Sequence, residues 1–135
     1  MKATVLIGRI LFSLIFLTAA MGHFSEQGIG YAASQGVPLP YVLVPLSGIF
    51  AVLGALSIII GFKAKIGAWH IILFMVPVTF MMHKFWTFTD PMQMQIQMSM
   101  FIKNLSILGA ALLITYFGAG PLSVDAKTTV VKSNV

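Results

Sequence analysis

The chain reads as an all-α integral membrane protein, a four-helix up-down-up-down bundle with both termini in the cytoplasm. Three observations predict this. Of its 135 residues only 8% are charged and 59% are hydrophobic, whereas a soluble domain carries roughly 25% charged residues. Mean hydropathy is +0.98. The apolar residues also gather into four runs separated by short polar connections, the pattern of antiparallel spans.

Composition excludes several chemistries. There are no cysteines, which removes thiolate catalysis, disulfide exchange and iron–sulfur ligation by this chain's own side chains. A net charge of +5 and a pI near 9.8 would on charge alone recommend nucleic acid. The lysines flank apolar runs instead of clustering in a soluble module, so they read as an orientation signal and no nucleic-acid partner is expected.

The first run, Ala3 to Gly22, is interrupted only by Arg9. About 20 helical residues cross a ~30 Å hydrocarbon core, so the run is long enough. Lys2, the apolar stretch and Thr18-Ala19-Ala20 also imitate a secretory signal. Arg9 inside the apolar region, with no soluble domain following, favours a retained span. Ser25 to Pro40 is a polar interlude in which Ser25 caps a short helix through Ser34, ended by Gly36 and two prolines. Tyr31 and Tyr41 suit a membrane–water interface.

Val42 to Ile60 is the second span. Its Gly48, Ala51, Gly54 and Ala55 permit close helix contact. Residues 61–67 form a basic turn. The third span, Ala68 to Met82, carries His70 near its start and Pro77, which predicts a kink. His83 to Leu105 then holds most of the polar chemistry. Asp90-Pro91 reads as a cap and first helical residue, so the last helix starts outside the membrane before the fourth span, Met98 to Phe117. A division follows: residues 1–120 form the transmembrane domain and 121–135 a loosely ordered polar cytoplasmic tail.

Lys2, Arg9, Lys63, Lys65, Lys127 and Lys132 fall on one side of this arrangement and Lys84 on the other. The positive-inside rule makes the first side cytoplasmic. At 100° per residue Arg9, Ser13, Ala20, His23 and Gln27 share one face of the first helix, and Gln95, Ser99, Lys103 and Ser106 share one face of the last. Both stripes should face protein or water, because unpaired polar groups in hydrocarbon are costly.

Arg9 has two readings, snorkelling to headgroups or a buried role. Lys103 also lies within snorkelling reach, and Trp86 suits an interfacial belt. His23 and His83 end adjacent spans on the same side. Two facing histidines can hold a haem, but interfacial hydrogen bonding to Glu26, Asp90 or water is the simpler expectation. A metal site lacks enough ligands, and none is expected.

The HKFWTF segment, the glutamine-rich approach and MFIKNLSILGAALLI resemble the latter half of the DoxX family. Gly8-Arg9-Ile10, the GVPLP stretch and Leu53-Gly54-Ala55 to Gly61 are similar to its earlier part. The resemblance implies a multi-pass bacterial inner-membrane protein of four helices. It further implies a link to sulfur, thiol or oxidative-stress chemistry through partner subunits. Where relatives often carry an acidic residue, this chain has Ile49-Phe50-Ala51-Val52, so no proton or cation role is carried over.

The expected function is an accessory subunit, read as non-catalytic and not as an enzyme, that docks a redox partner or forms a homo-oligomer among membrane lipids. It would line a quinone or lipid pocket near the extracytoplasmic face. Lys103 would bind a carbonyl or anionic oxygen, Asn104 would hydrogen-bond it, Trp86 would cover a ring, and His83 and His23 would complete the polar end. Arg9 is included among candidate ligand-binding residues. The alternative is a stand-alone carrier of lipids or small molecules, or a membrane oxidoreductase dependent on an added cofactor.

Overall fold

A computed structural model describes residues 1–133, with side chains as far as Thr128. The side chain of Lys132, counted above as an orientation signal, lies outside the described ones. The helices are α1 (Lys2–Ala20), α2 (Glu26–Ser34), α3 (Pro40–Ile60), α4 (Ala64–Met82), α5 (Pro91–Phe117) and α6 (Val124–Ser133). One 3-10 turn, Met21–Phe24, prolongs α1, and another, Phe85–Thr87, follows α4. No strand occurs among the described residues. α1 with its 3-10 turn, α3, α4 and α5 are each long and apolar enough to cross a membrane.

The α3–α4 pair forms the centre, with α1 packed chiefly on α3 and α5 chiefly on α4. The small residues expected to allow close approach do so: Gly48, Ala51, Gly54 and Ala55 are all buried. A Cβ added at Gly54 would stand 2.8 Å from the Gly67 carbonyl oxygen of α4. Around this contact Phe16, Ile58, Ile71, Phe74, Met75 and Ala111 close the core. Elsewhere the spans present leucine, isoleucine and valine outward, as lipid-facing helices do, because lipid tails are as apolar as the core.

Both helix starts expected from sequence are present. Gly28 N–H donates to Ser25 Oγ at 3.0 Å, and Gln93 N–H donates to Asp90 Oδ1 at 2.8 Å. α5 has 27 residues, about 40 Å of helix, so it exceeds a ~30 Å hydrocarbon core by nearly two turns. Phe101 packs against Phe85 and Trp86 at ring-centroid distances of 5.5 and 6.0 Å. That aromatic cluster marks the level where α5 leaves the apolar layer.

The segment after Gly118 departs from the loose tail expected. It turns back under the bundle and starts α6, with Ala126 N–H donating to Ser123 Oγ at 3.1 Å. Asp125 reaches the start of α4, where its two carboxylate oxygens accept from the N–H groups of Lys63 at 2.8 Å and Ala64 at 3.0 Å. Lys63 has a left-handed φ of 50° and gives α4 no cap of its own. The carboxylate therefore satisfies N–H groups that the helix start leaves unpaired.

Arg9 is buried at 4% exposure, which decides between its two readings. Its Nη1 donates to the Ala119 carbonyl at 3.0 Å and its Nη2 to the Leu122 carbonyl at 2.6 Å. Asp125 offsets its charge. Gly61 occupies the crossing of these parts with φ 70°, and a side chain there would collide with Ser123 and Arg9. Only glycine fits both the backbone and the space.

The polar stripe of α1 faces inward as expected at Arg9, Ser13 and Ala20, which are buried. Gln27, assigned to the same face, belongs to α2 and is exposed, because the 3-10 turn ends the register of α1. The stripe of α5 does not face inward: Gln95, Ser99, Lys103 and Ser106 are all exposed. Asn104 and Ala111 define the buried side of α5, and at 100° per residue the stripe lies nearly opposite them. Its hydroxyls bond within the helix, Ser99 Oγ to the Gln95 carbonyl at 2.9 Å and Ser106 Oγ to the Ile102 carbonyl at 3.1 Å. Facing protein is thus not required of them.

Candidate functional site

A large concavity lies at the end of the bundle away from Arg9. It has a volume of about 570 Å³ and is walled by α1 with its 3-10 turn, α2, α3 and α4. Its lining is mainly apolar, including Val44, Phe50, Phe74, Pro77 and Met81, with His23, Ser47, Tyr31 and His83 as the side chains able to hydrogen-bond. An apolar hollow with few polar groups is the form of a small-molecule site. Leu43, Leu46 and Leu73 of its wall are themselves exposed, so the hollow opens toward the surroundings of the spans.

Local structure shapes this end. The chain leaves α1 through a 3-10 turn that carries His23 inward, and Gly48 of α3 leaves room for it. A Cβ at Gly48 would stand 2.7 Å from His23 Cβ. His23 packs on Phe74 with ring centroids 5.3 Å apart. Its Nδ1 is 3.1 Å from Ser47 Oγ and 3.3 Å from the Val44 carbonyl oxygen. The Ser47 hydroxyl donates to that same carbonyl at 2.7 Å. With the serine hydrogen committed, both neighbours of Nδ1 are acceptors, so the ring carries its proton on Nδ1.

His83, at the C-terminal end of α4, has its Nδ1 2.8 Å from Gln97 Oε1 of α5. It too donates through Nδ1. The hydrogen-bond partners of both histidines are therefore Val44, Ser47 and Gln97, not the Glu26 or Asp90 expected from sequence. His23 beside Phe74 and His83 just past the end of α4 both line the hollow. Among the described residues no group of three His, Asp or Glu is placed to hold a metal.

Of the six candidate residues, then, His23 and His83 share the cavity and four do not. Arg9 is at the other end of the bundle. Trp86 is 54% exposed and stacks within its aromatic cluster. Lys103 is exposed, with its Nζ 3.3 Å from Met100 Sδ. Asn104, 4% exposed, is on the packed side of α5 with Ala111 and is not among the residues that line the cavity. The physical reason is helix rotation: consecutive residues point about 100° apart, so adjacency in Lys103-Asn104 separates the two side chains.

Two contributors were missed. Ser47 had no sequence signal, because its role depends on a histidine 24 residues away. Lys84, read only as a topology marker, donates from Nζ to the Gln35 carbonyl at 3.0 Å. A cation at the C-terminal end of α2 is favourably placed against the helix dipole, and this bond fixes α2 as a wall of the cavity.

The family model for DoxX matches residues 4–84. The chain belongs to the DoxX family. The match runs from α1 to Lys84 and so contains both cavity histidines, while the Lys103-Asn104-Leu105 run lies beyond it. The inner membrane protein YqjF of Escherichia coli is 31% identical over 125 residues, spanning 90% of this chain and 88% of the relative. The inner membrane protein YphA of the same organism is 30% identical over 124 residues, again spanning 90% and 88%. No solved structure matches the chain.

Proposed function

We propose that this DoxX protein is an inner-membrane accessory subunit that holds an uncharged lipophilic molecule, a quinone or a lipid, in the cavity bearing His23 and His83. The complex it serves is redox-linked or handles oxidative and thiol stress. The observation that carries this reading is the apolar hollow of about 570 Å³ with its few hydrogen-bonding side chains. Its lining offers no carboxylate or ammonium, so it suits a molecule that partitions into membranes. The outward stripe of Gln95, Ser99, Lys103 and Ser106 supplies a polar face for a partner subunit.

Lys2, Arg9, Lys63, Lys65 and Lys127 belong to the end opposite the cavity, and the positive-inside rule makes that end cytoplasmic. The cavity then lies toward the extracytoplasmic face. A second reading, a stand-alone lipid carrier, is favoured by the exposed wall residues Leu43, Leu46 and Leu73, which leave a lateral way in. Native mass spectrometry of the protein extracted from its own membrane in mild detergent tests both. A co-eluting chain with a discrete lipophilic mass supports the accessory subunit. A lipophilic mass on a bare monomer or homo-oligomer supports the carrier, and no retained molecule under the gentlest extraction refutes both.

A further inference from the structure

The hydrogen-bond roles at the cavity carry information about its occupant. A neutral imidazole has one donor nitrogen and one acceptor nitrogen. At His23 the donor is already assigned, since Nδ1 faces the Val44 carbonyl oxygen and a Ser47 hydroxyl whose own hydrogen is spent on that carbonyl. At His83 the donor Nδ1 is held by Gln97 Oε1. In the neutral tautomer that satisfies these contacts each ring keeps Nε2 as an acceptor, and neither Nε2 has a hydrogen-bond partner among the described residues.

We infer that the cavity selects lipophilic molecules bearing a hydroxyl or another uncharged hydrogen-bond donor, phenols and alcohols, over carbonyl or ether analogues of the same shape. This rests on the cavity being a ligand site, as proposed above, and specifies what it accepts. A hydroxyl gives its hydrogen to Nε2 of His23 or His83. At either Nε2 a ketone or ether oxygen has no hydrogen to give and sets lone pair against lone pair, which leaves Tyr31 as the lining side chain that could donate to it. In an apolar enclosure an unmade hydrogen bond is costly to both groups. Of a quinone and its quinol, the quinol is the form that supplies the donors.

The test compares 1-naphthol with 1-methoxynaphthalene, which shares the rings and lacks the donor, by fluorescence titration of the purified protein in lipid nanodiscs. Naphthol is expected to bind at least about tenfold more tightly. In His23→Phe, which keeps a ring against Phe74, the naphthol preference should shrink while ether binding is retained. Equal affinities in the unaltered protein, or tighter ether binding, overturn the donor preference and leave the cavity reading standing. Binding of neither probe overturns the cavity reading itself. Should His23→Phe fail to fold, nitrogen NMR of the unaltered protein decides the tautomers: a protonated Nδ1 and bare Nε2 at both rings supports the inference, and a protonated Nε2 at His23 refutes it.

Discussion

At one end of the bundle Arg9 meets two carbonyls, Asp125 meets two N–H groups, and Gly61 closes the space between them. At the other, His23 and His83 each spend one ring nitrogen on the protein and keep the second, beside a hollow of about 570 Å³. Both ends place polar groups next to hydrocarbon, where unpaired ones are costly. The first meets most of that cost internally through backbone partners, with Arg9 Nε and Ser13 Oγ buried without one. The second leaves an acceptor waiting, which is the mark of a place meant for something else. Stability should therefore respond mainly to changes at the first end and ligand retention to changes at the second.

The sharpest way to break that division is Gly61→Val. A β-branched residue at φ 70°, colliding with Ser123 and Arg9, is expected to cost about 3 kcal/mol or more, read as a lowered thermal midpoint in detergent. Gly48→Ala, next to His23, should cost about 2 kcal/mol and also lower retention of the cavity ligand about tenfold by turning the imidazole off Ser47. A loss of stability with full retention would count against the assigned role of His23. Asp125→Ala removes the α4 cap and the carboxylate that offsets Arg9, and should cost at least about 1 kcal/mol with ligand retention unchanged. Lys103→Met should alter neither property measurably, because that side chain is exposed and distant from the cavity; loss of ligand there would restore Lys103 to the site.

The four spans and both helix caps were legible in the sequence because they depend on local patterns: apolar run length, Ser25 before α2, Asp90-Pro91 before α5. The inward face of α1 was legible for the same reason, since Arg9, Ser13 and Ala20 share a helical period. The site was half legible. His23 and His83 could be assigned to one side of the membrane by counting spans, but the rotation of α5 could not be counted, and it separated Lys103 and Asn104 from them. The fate of the segment after Gly118 was hidden for a different reason. Its order comes from partners on α1 and at the start of α4, more than 60 residues away in the chain, and its own composition is that of a solvated tail.

The Arg9 bonds also bear on how the protein is made. The carbonyls that receive its guanidinium belong to residues 110 and 113 positions later, so α1 is synthesised well before its partners exist. During that interval a charged side chain on a young helix is costly in lipid, and α1 is expected to wait near the headgroup layer with Arg9 still hydrated. Its final depth is set only when residues 119–122 arrive and take the guanidinium from water. A segment made late thus seats a helix made more than a hundred residues earlier.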